Sequence, residues 1–262
     1  MKRSKYILNP AGYIKHGGEQ VLSNELIAQA IKETNKSLKQ LDKDNKKHDF
    51  DVFDSLGMRN LSGQVGEFFV RKLMKLSDGK LHKNLHQDGY PDLLLIDTPE
   101  KKEYFDSLYT VIDGKKYPKD KKSFSPFKYG GIEVKATCGS TPPASKVPKP
   151  LIGEQRVQLL NNFYWAAHHR ETNNLLGLLW DFIDGLPVIV AAFYQDELIK
   201  EDWGKVSKPK EDGGRTTNSS TMQTSGIKKM CQNWIAVLDD NQYIEKLAGK
   251  KWIGYNVKSA KK

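Results

Sequence analysis

The order of apolar and polar positions changes period several times along the chain. Over residues 19–44, Val21, Leu22, Leu26, Ile27, Ala30, Ile31, Leu38 and Leu41 recur at helical spacing, which predicts a helix. The charged stretch DKDNKKHDFDVFD that follows reads as an exposed link. A second helix is predicted over 61–76, LSGQVGEFFVRKLMKL, with Val65, Phe68, Phe69, Leu73 and Leu76 as its apolar stripe. Ser62 is placed to cap its start, and SDGK ends it. The period then shortens. Asp92 to Ile96 predicts a buried strand opened by Pro91, and GGIEVKAT, residues 130–137, predicts another, with Ile132, Val134 and Ala136 alternating with Glu133, Lys135 and Thr137. Between them lies a polar insertion over 98–129, in which YTVIDGKKYP predicts a hairpin. Beyond the second strand come a loop with four prolines, GSTPPASKVPKP, and a predicted helix, GEQRVQLLNNFYWAAHH. Two apolar strands follow, LLGLLWDF and LPVIVAAFY, joined by IDG. The tail holds the polar segment EDGGRTTNSSTMQTSGIKKM, a short apolar element NWIAVL and a basic end. This order predicts a mixed α/β fold with a central mixed β-sheet flanked by helices.

Composition narrows the setting. The 262 residues suit one domain carrying insertions, and 38% hydrophobic with 28% charged residues imply a polar surface around a modest core. No apolar run approaches the roughly 18 residues of a membrane span. The basic start, MKRSKYILNPAGYIKHGG, lacks the apolar region of a secretory signal. Cys138 and Cys231 are too few for a disulfide framework or a zinc ribbon, so a reducing cytoplasm is the expected location. A net charge of +10 points to a polyanionic partner, chiefly nucleic acid, or merely to a lysine-rich chain. No Gly-rich nucleotide fingerprint, P-loop or Gly-x-Ser-x-Gly elbow is present, so no organic cofactor is expected. His168 and His169 are adjacent and cannot share a helix face, while His82 and His86 lack a third ligand for zinc.

The chemistry concentrates in the two short strands. Acid-x-Lys triplets are common here, as in Asp78-Gly79-Lys80, Glu100-Lys101-Lys102, Asp113-Gly114-Lys115 and Asp120-Lys121-Lys122, but all of these lie in polar turns or loops. Glu133-Val134-Lys135 lies instead in an apolar strand, where the pair faces solvent or lines a site. If the two strands pair, Asp92 and Glu133 converge. Two close carboxylates repel, and a divalent cation holds both ionised. Mg²⁺ keeps several waters and completes its shell with phosphate oxygens, which suits a phosphodiester substrate. Lys135, on the same face as Glu133, can orient a water, depress its pKa or meet transition-state charge.

Pro91-Asp92 followed by Glu133-x-Lys135 resembles the PD-(D/E)xK nuclease superfamily, over roughly residues 60–195. The resemblance implies a restriction-endonuclease-like core with insertions, an N-terminal helical part over 1–59 and a DNA-contacting part over 196–262. It implies that Asp92 and Glu133 bind Mg²⁺ and that Lys135 assists the attacking water. Forty residues separate the acids, longer than is typical of the family, and the 98–129 insertion accounts for the excess. Glu67, after Gly66 on the second helix, matches a glutamate that joins the metal site in many members; otherwise it is a surface residue paired with Arg71. Gln155 is the candidate for a site glutamine found in one branch.

Size and layout resemble a type II restriction endonuclease, which implies a homodimer on a palindromic site and a cognate DNA methyltransferase as functional partner. The first helix could supply the dimer surface or pack within the core. Candidate DNA contacts are Arg215, Thr216, Thr217, Asn218, Lys228 and Lys229 in the polar tail segment, with Lys146 and Lys149 in the proline loop. The rival readings are a repair or junction-specific nuclease of the same superfamily, and a DNA-binding protein without catalysis.

Overall fold

A computed structural model describes residues 5–86, 89–124, 129–209 and 218–254. Strands β1 (Tyr6–Leu8), β2 (Ile14–His16) and β3 (Glu19–Leu22) lead into helix α1 (Asn24–Lys46). A single turn, α2 (Val52–Ser55), precedes α3 (Met58–Leu76). Then come β4 (Leu81–Lys83), β5 (Leu93–Leu95), α4 (Pro99–Ser107), β6 (Tyr109–Ile112), β7 (Lys115–Pro118) and β8 (Glu133–Thr137). The rest comprises β9 (Ala166–Ala167), β10 (Leu175–Ile183), β11 (Leu186–Gln195), β12 (Ser220–Thr221), α5 (Thr224–Gln232), β13 (Trp234–Leu238) and α6 (Asn241–Gly249).

The main sheet has five strands in the order β1-β13-β11-β10-β8. Only the β8–β10 pair is parallel, so the sheet is mixed. All nine residues of β10, which lies between β11 and β8, are buried. Leu176, Leu178, Trp180 and Phe182 pack with α1 and α3 on one side, while Leu175, Leu179 and Ile183 pack with α5 and α6 on the other. The apolar stripe of α1, including Ile27, Ile31 and Leu38, is used in this core and is not a free dimer surface. The β10–β11 turn works as its sequence suggests: Asp184 and Gly185 both take positive φ, 54° and 76°, matching strand twist in a two-residue hairpin. The hairpin expected in the insertion is also present, as β6 paired with β7.

Four elements differ from their sequence expectation. The first helix does not begin at 19: Gly17 and Gly18, both at positive φ, turn β2 back on β3, and Ser23 caps α1 by accepting from the Leu26 amide. The charged link is shorter than expected, because α1 continues to Lys46 and Asp51 caps α2. Ser62 does not cap α3; Gly57 holds that position, and the Ser62 hydroxyl, inside the helix, accepts from Trp180 Nε1 at 3.0 Å. The helix expected over GEQRVQLLNNFYWAAHH does not form. Its start is held as a 3₁₀ turn (Val157–Leu159) because the buried Asp181 carboxylate accepts from the Arg156 and Val157 amides at 2.8 and 3.1 Å. Its remainder is extended, with Phe163, Trp165 and Ala167 buried in alternation with exposed Asn162, Tyr164 and Ala166.

Candidate active site

The site is built where β5 meets β8. The two strands touch through one antiparallel bridge, Leu93 opposite Ile132, whose amide–carbonyl bonds measure 3.1 and 2.8 Å. Glycine makes this approach possible. Gly131 has φ 124°, and a Cβ there would lie 2.3 Å from the Leu93 carbonyl oxygen and 2.5 Å from Pro91 Cγ.

The bridge brings the two acids together through the backbone. The Asp92 amide donates to Glu133 Oε2 at 3.1 Å, and the Val134 amide donates to Asp92 Oδ2 at 2.9 Å. Lys135 Nζ lies 2.5 Å from Glu133 Oε1, and among the described residues no hydrogen bond of good geometry reaches that oxygen. Glu133 is fully buried, Asp92 half-buried, and the Lys135 side chain 25% exposed. Together with Ser62, Gly63, Gly66 and Glu67 of α3, Asp92 and Lys135 line a cleft of about 210 Å³. Open space surrounds Gly63 and Gly66, so the small residues of α3 leave the cleft accessible.

The electrostatics follow from this crowding. Burial, and then the charge of Glu133, push the Asp92 carboxyl up to about 7; Lys135 and the Val134 amide oppose the rise, and Glu67 adds to it. For Lys135, burial favours the neutral form, but Glu133 and Asp92 outweigh it and hold the ammonium charged, above the ordinary lysine value. The acid pair therefore faces one firmly held cation.

No protein-family model, curated protein or solved structure matches this chain.

The candidates from the sequence are placed as follows. Asp92, Lys135 and Glu67 line one cleft, and the fully buried Glu133 touches Asp92 and Lys135 without lining it. Glu67 pairs at 2.6 Å with Lys83 of β4, rather than with Arg71, and its side chain is 56% exposed. Among the described residues no three His, Cys, Asp or Glu side chains are grouped to hold an ion, so Glu67 stands beside the acid pair without completing a triad. Gln155 is not on a helix; its amide donates to the Tyr243 hydroxyl at 2.7 Å, and Tyr243 donates to Asp181 at 3.1 Å. Lys229 is engaged internally, 2.7 Å from the buried Asp202 carboxylate and 3.0 Å from the Glu197 carbonyl. Lys228, Asn218, Lys146 and Lys149 are exposed, whereas Arg215, Thr216 and Thr217 lie outside the described residues.

Sequence reading missed two neighbours of the site. Tyr90 lies near Lys135, and its ring meets His169 edge-on at 4.2 Å, with His168 at 6.4 Å. Tyr90 stands directly before Pro91-Asp92, a position that could have marked it. Lys83, the partner of Glu67, lies in a three-residue strand with no distinguishing pattern. No helix among the described residues is long and apolar enough to cross a membrane.

Proposed function

We propose that this chain is a Mg²⁺-dependent endonuclease of duplex DNA, with a restriction-endonuclease-like core and specificity for particular sequences. One observation carries the reading: the reciprocal amide–carboxylate bonds between the Asp92 and Glu133–Val134 segments, with the Lys135 ammonium against Glu133. The surrounding order supports it, since α3 precedes β4 and β5, and β8 runs parallel to β10. One departure from the resemblance is that the β8–β10 connection carries a 3₁₀ turn and extended chain in place of the expected helix.

The closeness of the two carboxylates supports a divalent-ion reading. Two carboxylates close enough to raise the Asp92 pKa gain from a second positive centre, and Mg²⁺ commonly uses one or two carboxylates plus phosphate oxygens. Asp92 and Glu133 would hold it; when bound, Mg²⁺ supplies Lewis acidity toward a phosphodiester. Lys135 stays charged at neutral pH, so it acts as an electrostatic group. It orients an attacking water or donates to a phosphoryl oxygen as negative charge develops, and it does not remove the proton. Glu67 lines the cleft and, with its ion-pair partner Lys83, tunes its field. The net charge of +10 favours a polyanionic substrate, and a two-fold assembly would match a palindromic site.

Digestion of plasmid and phage DNA tests this reading. Discrete fragments that require Mg²⁺ and disappear in EDTA are the expected result. A smear would replace sequence-specific cutting with nonspecific cutting, and intact DNA with every divalent ion would end the enzymatic reading.

A further inference from the structure

The insertion between the two acids forms a small unit of its own. Leu94, Phe105 and Phe124 make a separate apolar cluster, with Ile96, Tyr104, Leu108 and Tyr109 packed against it. This cluster hangs on β5, the strand that Asp92 opens, and from it projects the β6–β7 hairpin. Thr110 through Tyr117 are all exposed, Val111 by 62%, Ile112 by 54% and Tyr117 by 47%. A two-stranded ribbon whose side chains from Thr110 to Tyr117 are all exposed is marginal in water, so its apolar residues need an explanation.

The register divides the ribbon into two faces. Thr110 lies opposite Tyr117, and Ile112 opposite Lys115; Val111 lies opposite Lys116 between them. The Val111–Lys116 face turns toward α4, because Lys116 Nζ reaches Asp106 at 2.6 Å and lies over the Tyr109 ring at 5.6 Å. The other face presents Thr110, Ile112, Lys115 and Tyr117 outward: a hydroxyl, an apolar surface, a cation and a phenol. Between Tyr109 and Lys122 the chain carries five lysines against two aspartates.

We propose that the β6–β7 hairpin is the element that enters a groove of the DNA duplex, with the Thr110–Ile112–Lys115–Tyr117 face against base edges and phosphates. A two-stranded ribbon fits the major groove of B-DNA, and this face carries groups suited to both surfaces. Lys115 and the Tyr117 hydroxyl address phosphate oxygens, while Ile112 and the Thr110 methyl suit thymine methyl groups. Lys115 gives the outward face a positive charge, which complements DNA. Its attachment to β5 couples groove insertion to the strand that places Asp92. The inference rests on the nuclease reading above and adds the surface that grips the substrate.

The test is fluorescence anisotropy of the full chain in EDTA on a labelled 30-bp duplex, over a salt series. Variants are Lys115→Glu, the double variant Ile112→Ser/Tyr117→Ser, and a control, Lys36→Glu, on the exposed side of α1. Circular dichroism melts confirm that each folds. Lys115→Glu is expected to weaken binding about tenfold and to reduce the slope of log K against log salt by about one to two. The double serine variant is expected to weaken binding at least fivefold with the salt slope unchanged, and Lys36→Glu to change it less than twofold. Hairpin variants that bind as the parent does at every salt concentration would overturn the proposal while leaving the nuclease reading intact, as would losses equalled by Lys36→Glu. If light scattering shows that the hairpin variants instead break a dimer, the face belongs to self-association and the proposal fails. A parent chain that neither binds nor cuts duplex DNA would overturn both readings.

Discussion

Asp92 commits one carboxylate oxygen to the Val134 amide and stands against the charge of Glu133. The folded chain therefore holds the Asp92 proton more tightly than an unfolded chain, whose carboxyl titrates at the ordinary 3.8. By linkage, this group favours the fold fully below about pH 4 and loses that contribution as pH rises through about 7. Asp92→Asn keeps an acceptor for Val134 and removes the repulsion. In EDTA at pH 8 it should melt several degrees above the parent, and the two should converge below about pH 4. Mg²⁺ should raise the Tm of the parent and leave that of Asp92→Asn unmoved. A second residue-scale prediction separates Glu67 from the pair. Glu67 is exposed and tied to Lys83, so Glu67→Gln should slow single-turnover cleavage by about tenfold or less, against about 10²-fold or more for Asp92→Asn. The Asp92, Glu133 and Lys135 candidates were legible because a charged triplet in an apolar strand, preceded by Pro-Asp before another, is an unusual pattern. Tyr90 and Lys83 were not legible, since their proximity to the site comes from packing rather than local spacing.

Among the elements, the β5–β8 contact is the joint on which the site depends. Gly131→Ala places a Cβ against the Leu93 carbonyl at a positive φ, so the strands must separate. The expected cost is about 1–3 kcal/mol of stability by urea melts, with cleavage lost more completely than DNA binding. Gly114→Ala in the β6–β7 turn, also at positive φ but surrounded by open space, should cost only about 1 kcal/mol and spare the site. Strands and hairpins with strong turn residues were readable from sequence, the Asp184-Gly185 turn above all. The segment after the proline loop was not. Val157, Leu160 and Phe163 fit a helical period, but burial of Phe163, Trp165 and Ala167 follows a strand period. The Asp181 carboxylate captures the amides that would begin a helix, and Trp165 Nε1 is bound to the Leu178 carbonyl at 3.3 Å. Both constraints come from β10, distant in sequence, so local pattern could not reveal them.

For the whole molecule, fold class followed from the order of elements, whereas strand order did not. β1 pairs with β13, joining Tyr6 to Leu238, and the Asn9 side chain binds the Trp234 carbonyl at 2.9 Å. No local signal predicts a pairing between the two ends of the described chain. The net charge of +10 was legible from the start and carries a prediction at this scale. Duplex affinity should fall steeply with salt, with a slope of log K against log salt of about −4 or steeper, the signature of several phosphate contacts. A flat salt dependence would leave the basic composition without a polyanionic partner.

The most direct test of the account is the rate of supercoiled plasmid cleavage in Mg²⁺ by the parent chain, Asp92→Asn and Lys135→Ala, each first shown to be folded. Cleavage by the parent that EDTA abolishes is expected, with a loss of at least about 10²-fold in both variants. Equal rates in all three proteins, or cleavage indifferent to EDTA, would contradict it.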